Sequence, residues 1–164
     1  MNARRHLLLA GVSAALAGCG FELRREPEML FRSIALVGFK GDSLLAIELK
    51  RQLGRTPVVV QADPARAEIV LEALQDLRDK TVVVSTSAGQ VREWQLKLQF
   101  EYLLRTPSGE LLLPATQLRM TRDMNYTESQ ALAKEQEEAA LYRAMQSDAI
   151  AQIMRRLAAV RLPA

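Results

Sequence analysis

An α+β fold is predicted by three features of the chain. Residues 94–102 alternate apolar with polar, Leu118, Met120, Met124 and Tyr126 are interleaved with polar residues, and a stretch free of glycine and proline runs from residue 131 to Leu162 with helical apolar spacing. Alternation with a period of two gives strands one apolar face, and a long amphipathic helix is what covers such a face.

The chain opens on Arg4, Arg5 and His6, followed by an apolar run from Leu7 to Ala17 that is too short to span a bilayer. Leu16-Ala17-Gly18-Cys19 closes this run and resembles a bacterial lipobox. That motif implies removal of residues 1–18 as a signal peptide, a diacylglycerol thioether on Cys19 and an acyl chain such as palmitate on its new amino group. The plain alternative is an ordinary secretory signal, or a buried helix ending at a free thiol. Glu22 to Glu28 is charged and contains Pro27, so residues 19–31 read as an extended tether.

Removing residues 1–18 from 164 leaves 146 residues, enough for one domain, set here at residues 32–164. Arg4 and Arg5 leave with the signal and no acid does, so 22 basic side chains become 20 against 19 acidic ones. The pI of 9.3 is therefore no nucleic-acid footprint, and no nucleic-acid partner is expected. His6 is the only histidine and Cys19 the only cysteine, so the mature chain offers neither imidazole nor free thiolate. Ser-His-Asp and Cys-His sites, ordinary structural zinc and disulfides are thereby excluded, and no catalytic residue, metal or cofactor is assigned. Carboxylates remain. Glu135, Glu137 and Glu138 form a helical run that reads as a solvated face, and Gly38-Phe39-Lys40-Gly41 lacks the spacing and ending of a phosphate loop.

Ser33 to Phe39 is a short, nearly continuous apolar run, as expected of a strand covered on both faces. Gly41-Asp42-Ser43 supplies turn and cap residues, and Leu45, Leu49 and Leu53 recur every fourth position before Gly54, predicting a short helix. Thr56 to Gln61, with three valines in succession, is a candidate brief strand, and Asp63-Pro64 breaks it. From Ala67 to Lys80 the pattern fits two structures. Val70, Leu71, Leu74 and Leu77 suit a helix, which the residues alone slightly favour, whereas Ile69 and Leu71 with Val82 and Val84 suit a long strand.

Trp94, Leu96, Leu98, Phe100, Tyr102 and Leu104 alternate with polar residues between the turn sequences Ser87-Ala88-Gly89-Gln90 and Thr106-Pro107-Ser108-Gly109. A half-buried strand paired antiparallel with both neighbours is predicted. Leu118, Met120, Met124 and Tyr126 define another strand of the same kind. Thr127-Glu128-Ser129-Gln130 has capping-box spacing and is expected to start the last helix. Leu132, Ala140, Leu141, Met145, Ile150, Ile153, Met154, Leu157 and Val160 form its apolar stripe, over roughly 45–50 Å at the usual helical rise.

Particular words along this frame resemble one family. They are Cys19-Gly20-Phe21-Glu22-Leu23-Arg24, Gly89-Gln90-x-x-Glu93-Trp94-Gln95, and Ala131-Leu132-Ala133-Lys134-Glu135 leading to Arg155-Arg156-Leu157. Together and in order they resemble the LptE family of lipopolysaccharide-assembly lipoproteins. The resemblance implies a two-layer α/β sandwich of order β-α-β-β-β-α. Its mostly antiparallel sheet has four main strands, two helices pack on one face, and residues 68–85 form a strand.

It also implies an outer-membrane lipoprotein, anchored by lipid on the periplasmic side, that plugs and helps assemble the LptD β-barrel and contacts lipopolysaccharide. Gly20 suits that location, since an aspartate there would resemble an inner-membrane retention signal. Lys134, in the matching helix segment, is the candidate donor to lipid A phosphates, a solvated helix lysine being the alternative. The chain departs from the family at Thr86-Ser87-Ala88, where members carry an aromatic-basic pair; Arg92, just past the turn, is the candidate substitute.

Two rival functions are carried forward. A different lipid-anchored periplasmic adaptor, such as an activator of cell-wall synthesis, would also need a tether and one exposed face. A carboxylate-based hydrolase of envelope glycans would draw on Glu93, Glu101, Asp123 or Glu135.

Overall fold

The structure, a computed structural model, describes residues 28–162. Cys19, the lipobox and most of the tether lie outside the described residues. Strands β1 (Ser33–Val37), β2 (Val59–Gln61), β3 (Ile69–Ser85), β4 (Val91–Arg105) and β5 (Leu111–Asn125) form one sheet in the order β2-β1-β3-β4-β5. Helices α1 (Leu44–Leu53) and α2 (Ala131–Ala159) cover one of its faces. The four expected main strands are joined by a fifth, since the valine segment pairs in parallel along the outer side of β1.

β1 is parallel to both of its neighbours, β2 and β3. Ile34 joins the helix-side core, while Ala35 packs with Ala67 and Val70 in a small cluster on the reverse face. Both faces of β1 are thus covered, which is why its sequence does not alternate. Gly38 follows with φ +78°, and a Cβ there would stand 2.2 Å from the Ala73 carbonyl oxygen. Only glycine lets the chain leave β1 across β3 at this point.

In α1, the Ser43 hydroxyl accepts from the Ala46 amide at 3.1 Å and donates to Asp76 of β3 at 2.6 Å. One hydroxyl therefore caps the helix and ties it to the sheet. Leu45, Leu49 and Leu53 are buried as the fourfold spacing predicts. Gly54 stops the helix at Leu53 in the right-handed region, with no left-handed cap.

Residues 69–85 form one continuous strand, so the helical alternative is set aside. The reason is an irregularity in pairing. Ala73 opposes Tyr102 and Gln75 opposes Glu101, which leaves Leu74 as an extra residue in a bulge. Before it, Ile69, Leu71 and Ala73 face the helices; beyond it, Asp76, Arg78 and Lys80 do, opposite Phe100, Leu98 and Leu96. The phase of the alternation flips at Leu74 and mimics helical spacing.

β3, β4 and β5 form a long antiparallel meander with two hairpins of the same construction. In each, a threonine amide donates to the carbonyl four residues on at 2.8 Å, its hydroxyl accepts the return amide, and a positive-φ glycine, Gly89 or Gly109, makes the turn. The inward residues of β4 from Leu96 to Leu104 are buried at every second position.

The capping box at Thr127 is overturned. Residues Glu128–Gln130 form a 3₁₀ turn, and the Thr127 hydroxyl meets the Gln130 side-chain oxygen at 3.5 Å instead of a free amide. α2 proper starts at Ala131 and its 29 residues give about 43 Å. Its buried positions begin only at Tyr142, while Leu132 and Ala140, expected in the stripe, are exposed. The second half of the helix is embedded in the core and the first half lies out over the far end of the sheet.

Candidate functional site

The helix-side face of β3 beyond the bulge is polar, and each of its side chains is held from the helices. Asp76 meets Ser43, the Arg78 guanidinium donates to Gln146 Oε1 at 2.6 Å, and Lys80 pairs with Glu138. The Gln146 amide in turn donates to the Leu44 carbonyl at 2.7 Å, so one buried glutamine bridges α1, α2 and β3. Tyr142 donates to the Asp79 carbonyl at 2.7 Å beneath the Arg78 guanidinium, and burial pushes its phenol above the ordinary range. Along this seam β1 has already ended at Val37, so the outer half of β3 is paired with β4 on one side only.

At the far end of the sheet, Lys80 Nζ lies 4.5 Å from the centre of the Trp94 ring, which meets Tyr126 edge-on at 6.4 Å. Trp94 Nε1 is buried without a hydrogen-bond partner. Of the sequence candidates, Arg92 lines a shallow depression of about 220 Å³ with Gln90, Thr127, Glu128 and Ser129, and its guanidinium reaches Gln90 Oε1 at 3.4 Å. Lys134 lies one turn into α2, largely covered along its length, and pairs with Glu137 at 2.8 Å. Both cations belong to the hairpin end of the molecule, but Lys134 does not line the Arg92 depression.

The opposite face of the sheet carries no helix. Cross-strand rows there read Gln75, Glu101, Gln117; then Leu77, Gln99, Arg119; then Asp79, Lys97, Thr121; then Thr81, Gln95, Asp123. Gln95 donates to Asp123 within its row at 3.1 Å, and Lys97 donates to Thr81 of the neighbouring row at 3.3 Å. Three of the four hydrolase candidates, Glu93, Glu101 and Asp123, lie on this open face, while Glu135 is exposed on α2 in the other layer. The fold therefore separates Glu135 from the other three. Among the described residues no group of three or more acidic, histidine or cysteine side chains is placed to hold a metal ion, and no helix is long and apolar enough to cross a membrane.

Sequence reasoning passed over Arg122. It occupies an inward position of β5 between Met120 and Met124, where its Nη2 meets Asp148 of α2 at 3.3 Å and its Nη1 donates to the Thr121 carbonyl at 2.9 Å. The signal was present as a break in the β5 alternation.

A one-sided sheet with its two helices on a single face is a fold this chain shares with solved bacterial lipoprotein domains. The chain is similar in structure to uncharacterized lipoprotein B from Nitrosomonas europaea, with TM-score 0.72, 27% identity and coverage of 85% of this chain and 91% of that one. It shares its fold with rare lipoprotein B from Shewanella oneidensis, with TM-score 0.61, 21% identity and coverage of 78% and 95%. The same holds for a minor lipoprotein from Acinetobacter baumannii, with TM-score 0.64, 21% identity and coverage of 83% and 100%. Among curated proteins no significant match is found. The family described as "LptE: Lipopolysaccharide-assembly" matches residues 31–157, and the chain belongs to it. This is a family of non-enzymatic, cofactor-free lipoproteins of lipopolysaccharide assembly.

Proposed function

We propose that this protein is an outer-membrane lipoprotein that plugs and helps assemble the LptD β-barrel, through which lipopolysaccharide passes to the cell surface. The observation that carries the reading is the uncovered sheet face with its cross-strand rows of glutamine, threonine, lysine and aspartate. Large membrane barrels enclose polar lumens, and a protein seated in one must present polar groups to the wall. Mixed charges along the rows suit a wall bearing both donors and acceptors. In this reading residues 1–18 are the signal peptide, Cys19 carries the lipid, residues 19–31 are the tether and residues 32–164 are the domain that enters the barrel. Lys134 and Arg92, at the hairpin end, are the contacts offered to lipopolysaccharide phosphates.

The test is a mild-detergent pull-down from the native outer membrane with a tag after Ala164, the partner being identified by mass spectrometry. A stoichiometric large β-barrel is the expected result. Capture of a cell-wall synthase instead would favour the adaptor reading and overturn this one.

A further inference from the structure

β5 closes one side of the sheet and, among the described residues, has no strand beyond it. The Tyr126 amide donates to the Arg92 carbonyl, so in the unbroken pairing from Thr116 to Asn125 the even-numbered residues turn their backbone groups towards β4. Gln117, Arg119, Thr121, Asp123 and Asn125 turn theirs outward. The Arg122 side chain agrees with this parity, since its Nη1 reaches the outward Thr121 carbonyl at 2.9 Å. The same five residues are exposed on the uncovered face, and Pro114, which has no amide to donate, bounds the free edge at its start. Such a row of unpaired donors and acceptors is a template for a further strand.

We propose that this edge pairs antiparallel with the β5 edge of a second copy of the chain, about a two-fold axis at Thr121. The occupant follows from the register. With Thr121 opposite its own copy, Arg119 stands opposite Asp123 and Gln117 opposite Asn125, and the two-fold repeats both pairs. Every outward residue then meets an outward residue, giving roughly ten backbone hydrogen bonds. A two-fold at Arg119 or Asp123 would oppose like charges, one at Arg122 would do so on the helix side, and one at Met120 would set Arg119 against Thr121. On the helix side the favoured register sets Leu118 against Met124 and the Arg122 stem against Met120. Asp123 keeps its bond from Gln95 and has a second oxygen for the guanidinium, while Arg119 forms no ion pair among the described residues. One contact must yield, because Arg122 has to release the Thr121 carbonyl as the ladder closes. The pairing merges two five-stranded sheets into one and does not depend on any barrel partner.

The test uses the full-length protein in mild detergent and in membranes. Thr121→Cys is expected to form a disulfide-linked dimer on mild oxidation, because the Cα atoms of such a hydrogen-bonded pair lie about 5.5 Å apart. Gln117→Cys, whose two copies lie at opposite ends of the ladder, is expected not to link, and the wild type, with Cys19 as its only cysteine, is the blank. Arg119→Asp sets two acids against each other and is expected to weaken dimerisation, read by sedimentation, about tenfold. The exchange Arg119→Asp with Asp123→Arg is expected to restore it, which a role within one chain would not predict. Equal linking of Gln117→Cys and Thr121→Cys would mean chains merely sharing a micelle and would overturn the proposal. So would monomers throughout, an Arg119→Asp variant that pairs as the wild type does, no rescue by the exchange, or a Thr121→Cys link to a different protein in place of the dimer.

Discussion

Gly38 and Gly89 share a φ of +78° and differ in their surroundings, so they separate two reasons for a glycine. At Gly89 a methyl group meets nothing within 4 Å, and Gly89→Ala should cost about 1 kcal/mol for the left-handed backbone alone. At Gly38 the same methyl strikes a backbone carbonyl that cannot yield, and Gly38→Ala should cost more than about 2 kcal/mol in urea unfolding. Tyr102 offers a different test. Its hydroxyl is buried without a hydrogen-bond partner, and burial raises its pKa despite the nearby Arg156 guanidinium. The unfolded chain therefore releases this proton first as pH climbs through about 10, and stability falls with further rise in pH. Tyr102→Phe should be neutral or stabilising at pH 7 and should flatten that alkaline decline, read as Tm against pH. Lys134→Glu places a second acid beside Glu137 and removes the proposed phosphate contact. It should weaken lipopolysaccharide binding more than barrel association; equal losses in both would count against a direct glycolipid role.

Among the elements, α2 divides into two halves of unequal worth. Leu157 is fully buried and Leu132 is 72% exposed. Leu157→Ala should destabilise by about 2–5 kcal/mol and Leu132→Ala by less than about 0.5 kcal/mol in the same unfolding assay. The sequence treats these two leucines alike, because helical periodicity marks a stripe without saying how far the core beneath it extends. Strand β4 was legible because it keeps one phase: every inward residue from Leu96 to Leu104 is buried. β3 was not, because the bulge at Leu74 shifts its phase and the positions beyond it spend Asp76, Arg78 and Lys80 on contacts with the helices. A local pattern cannot reveal that β1 stops short and that polar side chains fill the seam. Arg122 escaped for a related reason: it falls at a polar break in the β5 alternation, and only the fold sets it against Asp148 of α2.

For the whole molecule, the polarity of the chain matters more than any one contact. β1 begins beside the start of β3, and the Thr106–Glu110 turn and the end of α2 lie at that same end, while the Thr86–Gln90 hairpin and the start of α2 lie at the other. If Cys19 is the sole anchor, Cys19→Ala should release the protein from the outer-membrane fraction, since stable attachment needs more than one acyl chain. Unchanged fractionation would contradict the lipobox reading. The 15 residues of β4, at about 3.4 Å each, separate the two ends by about 50 Å. A bilayer with its headgroups measures about 40–45 Å. The meander is thus a ruler of nearly membrane thickness: standing upright from a periplasmic anchor, it would deliver the hairpin, Arg92 and Lys134 to the opposite surface, and any shortening of β3 and β4 in register would pull them back by about 3.4 Å per residue pair.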